Sequence, residues 1–220
     1  MTNTAPKTAI DQLLSHQIRR GPASSADPRP TRWCLETLRG RFIELSNGPA
    51  SAGLSVITPL LVEAQQHAEP IAWVTAPTSC CYPPDLAAAG VDLNAFPLVV
   101  LPKLNAVAAA KAADRLLRSA AFGLIILDLY EIGSFSLATV ARLAKLAHQH
   151  DSALVCLTYK SADVPSLGSL VSLRATSQRC QSINAIGSIR FEITVDILKD
   201  KRHGAAWQQQ ELRHGPPGSG

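Results

Sequence analysis

Residues 41–55 read Arg41-Phe42-Ile43-Glu44-Leu45-Ser46-Asn47-Gly48-Pro49-Ala50-Ser51-Ala52-Gly53-Leu54-Ser55. The run has the composition of a strand, a glycine-bounded loop and the start of a helix. Glycines in such a loop let backbone N–H groups converge on an anion, and a helix N-terminus adds its dipole. The phosphate-loop pattern is G-x-x-x-x-G-K-[ST]. Gly48, Gly53 and Ser55 fit it, whereas Leu54 stands where the lysine belongs. The rest of the chain has to decide between a nucleotide site and the shell of one.

Outward from this stretch, strand and helix alternate. Apolar runs predict strands over 42–45, 71–74, 98–101, 123–128 and 153–157. Helical periodicity covers 55–67, 85–89, 106–118 and 136–150, with Pro59 in the first-turn region of its helix, where proline is tolerated. Near-continuous apolar strands separated by helices imply a mostly parallel sheet covered on both faces. After residue 165 the pattern changes. Longer strands are expected over 167–175 and 188–199, the second alternating Phe191, Ile193, Val195 and Ile197 with Arg190, Glu192, Thr194 and Asp196. Asp200 to Gly204 reads as a turn, and 205–212 as a returning partner, giving antiparallel strands at the C-terminal end.

Ahead of this body, residues 5–20 read as an amphipathic helix with Ile10, Leu13, Leu14 and Ile18 on one face, cut off by a Pro- and Ser-rich linker. The expected organisation is an N-terminal helix and linker over 1–31, an α/β core over 32–213 and a tail over 214–220. Such an arm is a candidate interaction element.

Hydrophobic content of 46% and charged content of 17% fit a globular protein rather than a disordered one. Apolar runs are too short to cross a bilayer and the N-terminus leads into no signal-peptide apolar region, so a cytoplasmic protein is expected. The net charge of +4 is uneven: residues 1–41 carry seven Lys/Arg against three Asp/Glu, 42–173 seven against ten, and 174–220 seven against four. The basic ends are candidates for contact with an acidic partner or, weakly, with DNA. The odd set Cys34, Cys80, Cys81, Cys156 and Cys180 fits reduced thiols, and neither it nor His148 and His150, read as surface residues, forms a metal-ligand pattern.

The order of motifs resembles the RecA-type ATPase core. The entry strand is Leu38-Arg39-Gly40-Arg41-Phe42-Ile43-Glu44-Leu45, the phosphate loop is Gly48 to Ser55, and Gly90-Val91-Asp92-Leu93 follows the second strand. Leu124 to Asp128 matches the Walker B strand, and Lys199-Asp200-Lys201 the lysine pair of a late hairpin. The departures concern chemistry. Leu54 replaces the lysine that offsets phosphate charge. Thr75-Ala76-Pro77 stands where the family carries its catalytic glutamate, and the segments after Asp128 and Leu157 are shorter than the family's loops. Asp128 and Ser55 remain, as a degenerate magnesium pair.

Within that group the chain is most similar to the ImuA family of bacterial mutagenesis cassettes. It shares Gly40-Arg41-x-x-Glu44-Leu45, the string Phe122-Gly123-Leu124-Ile125-Ile126-Leu127-Asp128-Leu129, and Leu198-Lys199-Asp200-Lys201-Arg202. The resemblance implies a non-catalytic, RecA-like accessory protein of error-prone translesion DNA synthesis, expressed under DNA-damage control and without a cofactor. It implies ImuB, an inactive Y-family polymerase relative, as partner, together with an error-prone C-family DNA polymerase. The position and amphipathicity of residues 5–20 make RecA a further target. Ile10, Leu13, Leu14, Ile18, Lys199, Lys201 and Arg202 are the candidate contact residues; the arm is equally placed for self-association. The alternatives are an ATP-binding switch in which Lys103 or Lys160, both read as surface residues, replaces the missing lysine, and a nucleic-acid-binding regulator that caps RecA filaments.

Overall fold

The computed structural model describes residues 32–214 apart from 49–50, 78–80, 131, 133, 184–188 and 205–206. The expected helix over 5–20, with Ile10, Leu13, Leu14 and Ile18, the linker after it and the tail beyond residue 214 lie outside the described residues.

Eight strands form one mixed sheet. In chain order the elements are α1 (Leu35–Leu38), β1 (Phe42–Asn47), α2 (Gly53–Gln66), β2 (Ile71–Thr75), α3 (Pro83–Ala88), β3 (Leu98–Val100) and α4 (Ala106–Arg118). They continue with β4 (Leu124–Tyr130), α5 (Leu137–Gln149), β5 (Ala153–Thr158), β6 (Leu173–Ile183), β7 (Ile189–Asp200) and β8 (Gln208–His214). The strand order is β3-β2-β4-β5-β1-β6-β7-β8. Pairing is parallel from β3 to β6 and antiparallel between β6, β7 and β8.

The apolar runs are continuous because their strands are covered on both sides. Along β1, Ile43 and Leu45 join the core under α1, α2 and α3, while Phe42 joins the core under α4 and α5. In β4, Leu124 and Ile126 point to the first core, and Ile125, Leu127 and Leu129 to the second. Helix starts follow the capping rules: Asn105 accepts from the Ala108 N–H before α4, and Ser136 from the Thr139 N–H before α5.

Three sequence expectations need correction. Residues 167–172 are not strand; Ser166 Oγ and the Leu167 N–H bond the Glu44 carboxylate, and a turn brings the Val171 N–H to Gly168 O. Leu167 and Val171 are buried as an apolar loop, and β6 runs instead from Leu173 to Ile183. Pro59 lies in the second turn of α2, because that helix begins at Gly53; the proline removes the N–H that would bond the Ser55 carbonyl. Asp200, expected as the first residue of the turn, belongs to the strand before it. It ends β7 with its side chain fully buried.

The reason is Arg41. Its Nη2 lies 2.6 Å from Asp200 Oδ1 and donates to Ser172 O at 2.9 Å, while Nε donates to Ser172 Oγ at 3.2 Å. Asp200 also accepts from the Arg202 N–H and from Trp207 Nε1. Burial opposes ionisation of Asp200, but the Arg41 guanidinium and the other donors outweigh it and hold the carboxyl far below the usual carboxylate range. Removing one partner of a buried pair leaves an uncompensated charge, at a cost of about 3–5 kcal/mol. Arg41→Met is therefore expected to destabilise by that amount in urea unfolding. In a double-mutant cycle Asp200→Asn adds less on top of Arg41→Met than it costs alone, with a coupling of about 1 kcal/mol or more.

Candidate functional site

The chain leaves β1 at Asn47 and enters α2 at Gly53. At Gly53 a Cβ would overlap the Asn47 carboxamide, so a larger residue there requires that side chain to move. Gly48 has open space around a Cβ position and a φ outside the left-handed region, so the turn does not depend on it.

The first amides of the loop–helix junction are occupied by the protein's own hydroxyls. Ala52 N–H donates to Ser177 Oγ of β6 at 3.2 Å, and Gly53 N–H to Ser51 Oγ at 3.1 Å. Leu54 is half-buried and packs against the core beneath α2. Asn47 Oδ1 is buried without a hydrogen-bond partner among the described residues and adds an acceptor, not a donor, to this corner.

Gly53, Leu54, Ser55 and Asp128 line one cavity of about 270 Å³. The expected loop and Walker-type residues therefore converge, except that Gly48 is not in the lining. Asp128 is buried at the C-terminal end of β4 and accepts from Thr75 Oγ1 at 3.1 Å. Arg179 from β6 also lines the cavity, with its guanidinium 5.2 Å from the centre of the Phe191 ring. Sequence reasoning missed Arg179 because its strand was expected to end at residue 175.

Lys160, expected at the surface, is not free to enter this cavity. Its Nζ sits 2.7 Å from Glu44 Oε1 and donates to Pro165 O at 2.8 Å, with only 8% of the side chain exposed. Glu44 is fully buried at the centre of β1 and also accepts from Thr158 Oγ1, Ser166 Oγ and the Leu167 N–H. Arg174 Nε lies 3.8 Å from its other oxygen and donates to Ser46 Oγ at 3.1 Å. Burial alone would raise the Glu44 carboxyl, but Lys160, Ser166 and the Leu167 N–H outweigh it and bring it below its ordinary value. Burial and the Glu44 charge push the Cys156 thiol, paired across β1 and β5 with Glu44, well upward.

Of the C-terminal contact candidates, Lys201 is exposed. Lys199 Nζ donates to Ser169 O at 3.0 Å, and Arg202 Nη1 to Arg39 O at 3.1 Å, so both also brace the fold. Lys103 is exposed. No group of three His, Cys, Asp or Glu among the described residues is placed to hold a metal ion. No helix among the described residues is long and apolar enough to cross a membrane.

The chain matches no protein-family model and no curated protein.

Glu44 and Asp200 set an acid-side prediction. A carboxyl whose folded value is depressed contributes stability that is full above its unfolded value, near pH 4, and is lost as pH falls toward the folded value. Wild-type urea midpoints are expected to drop steeply between about pH 5 and pH 2. Glu44→Gln starts lower at neutral pH and shows a shallower drop over the same window.

Proposed function

We propose that this chain is a non-catalytic, RecA-like accessory protein of mutagenic translesion DNA synthesis, related to ImuA. It acts in the cytoplasm through contacts with ImuB and an error-prone C-family polymerase, with RecA as a further target. The reading of the core as RecA-like rests on the order of motifs, and fold-level analogy alone does not carry function.

The observation that carries the non-catalytic part is the state of the loop–helix junction. A nucleotide loop needs open N–H groups and a lysine for the β/γ-phosphates. Here the Ala52 and Gly53 amides are satisfied by Ser177 and Ser51, and Leu54 packs against the core. Lys160 is held by Glu44. The residues of the phrase shared with ImuA have structural work instead: Arg41 pairs with Asp200 and Glu44 with Lys160.

A second reading is favoured by Arg179. It lines the same cavity as Ser55 and Asp128 and carries the positive charge that Leu54 lacks. In that reading the protein is an ATP-binding switch.

Two measurements test these readings. The purified protein is expected to co-elute with ImuB in size-exclusion chromatography, and failure to do so at micromolar concentrations would overturn the accessory reading. A fluorescent ATP analogue with magnesium is expected to show no saturable anisotropy change. Saturable binding abolished by Arg179→Ala would replace the non-catalytic reading with the switch.

A further inference from the structure

The two helical faces of the sheet carry opposite charge. Within α1, α2 and α3 the charged residues are Glu36, Glu63 and Asp85, with no lysine or arginine. Within α4 and α5 they are Lys111, Arg115, Arg118, Arg142 and Lys145 against the single acid Asp114. That acid is spent locally: Arg142 Nε approaches it to 2.6 Å and Arg118 Nε to 3.0 Å. Five of the seven basic residues in the otherwise acidic stretch 42–173 thus sit on one helix pair.

Between α4 and α5 lies an open groove of about 450 Å³. Its floor is apolar, built from Val107, Ala110, Phe135 and Leu143, and its rim carries Lys111, Arg115 and the Asp114–Arg142 pair. Val107 is 63% exposed, and Leu137, next to the lining residue Ser136, is 65% exposed. Lys111 and Arg115 make no ion pair among the described residues. Each helix is 13 residues long, so the groove has about 20 Å of helix on either side.

We infer that the α4–α5 groove is a docking site for an acidic amphipathic segment of a partner protein, bound as a helix with its apolar side on the Val107–Leu143 floor and its carboxylates against Lys111 and Arg115. Charge complementarity selects the sign of the partner, and the apolar floor selects an amphipathic peptide. A nucleic acid would use the charge but not the floor, and base stacking needs open aromatic faces. The sole aromatic in the lining, Phe135, is 8% exposed. The chain's own N-terminal stretch does not fit, because Lys7, Arg19, Arg20 and Arg29 outnumber Asp11 and Asp27 there.

This deepens the protein-contact part of the proposed function and rests on it, without depending on which partner is named. The test is a phage-displayed library of random 16-residue peptides, selected on the full-length protein and counter-selected on the variant Val107→Glu/Lys111→Glu/Arg115→Glu. All three positions are exposed, and unchanged circular dichroism and melting confirm that the variant folds. The enriched peptides are expected to be acidic, with apolar residues at i, i+3 and i+4 spacing. Labelled copies are expected to bind the wild-type protein with micromolar Kd, to lose about tenfold or more on the triple variant, and to keep their affinity on Lys201→Glu. The absence of enrichment, enrichment without acidic bias, or equal affinity for the triple variant would overturn the inference. So would a 20-nucleotide single strand that loses affinity on the same variant, which marks a nucleic-acid face. A dimer in sedimentation velocity that dissociates in the variant would assign the groove to a second copy. The library holds no translesion protein, so its failure leaves the ImuB co-elution result standing, and the converse also holds.

Discussion

The ion pair between Arg41 and Asp200 joins the entry to the central strand with the end of the long hairpin. Both side chains have no solvent exposure. Charges in such a place are retained only when their remaining donors and acceptors are met. Here Ser172, the Arg202 amide and Trp207 meet them, so one contact ties β1, the end of β7 and the approach to β8 together. The antiparallel extension is thereby fixed to the parallel sheet at a point where backbone pairing alone would leave its angle open.

Three residues on, within β1, Glu44 repeats the device. It collects Lys160, Ser166 and the Leu167 amide, and so folds the loop after β5 inward over the core beneath α5. The junction between β1 and α2 is closed by similar means, with the Ser177 and Ser51 hydroxyls accepting from the Ala52 and Gly53 amides. The same chemistry, polar groups of the chain satisfying polar groups of the chain, accounts for all three corners of the central strand.

The layered α/β plan was legible because each strand–helix unit carries its own period. The helix over residues 106–118 agrees residue for residue with α4, and the one expected over 136–150 differs from α5 by a single residue at each end. The convergence of Gly53, Leu54, Ser55 and Asp128 followed from motif order. What escaped was long-range and polar. Glu44, Arg41 and Asp200 find partners more than 100 residues away, which no local pattern encodes. Leu167 and Val171 looked like strand because burial, not pairing, sets their apolarity. Arg179 lay beyond the expected strand end, and Lys160 looked exposed because its partner is hidden in β1.

The central position of β1 bears on how the chain acquires its fold during synthesis. Its sheet neighbours are β5, beginning at Ala153, and β6, beginning at Leu173. The first of the described strands to leave the ribosome thus waits for β5 and β6 before both of its edges are paired. At about 5–20 residues per second, the interval between Arg41 and Asp200 emerging is on the order of 8–30 s. Through most of that time Ile43 and Leu45 have no completed sheet to enter, and Arg41 just before the strand and Glu44 within it keep the segment hydrated. The polar residues that later lock the sheet also interrupt the apolar run of β1 on the nascent chain, and so guard it against mispairing.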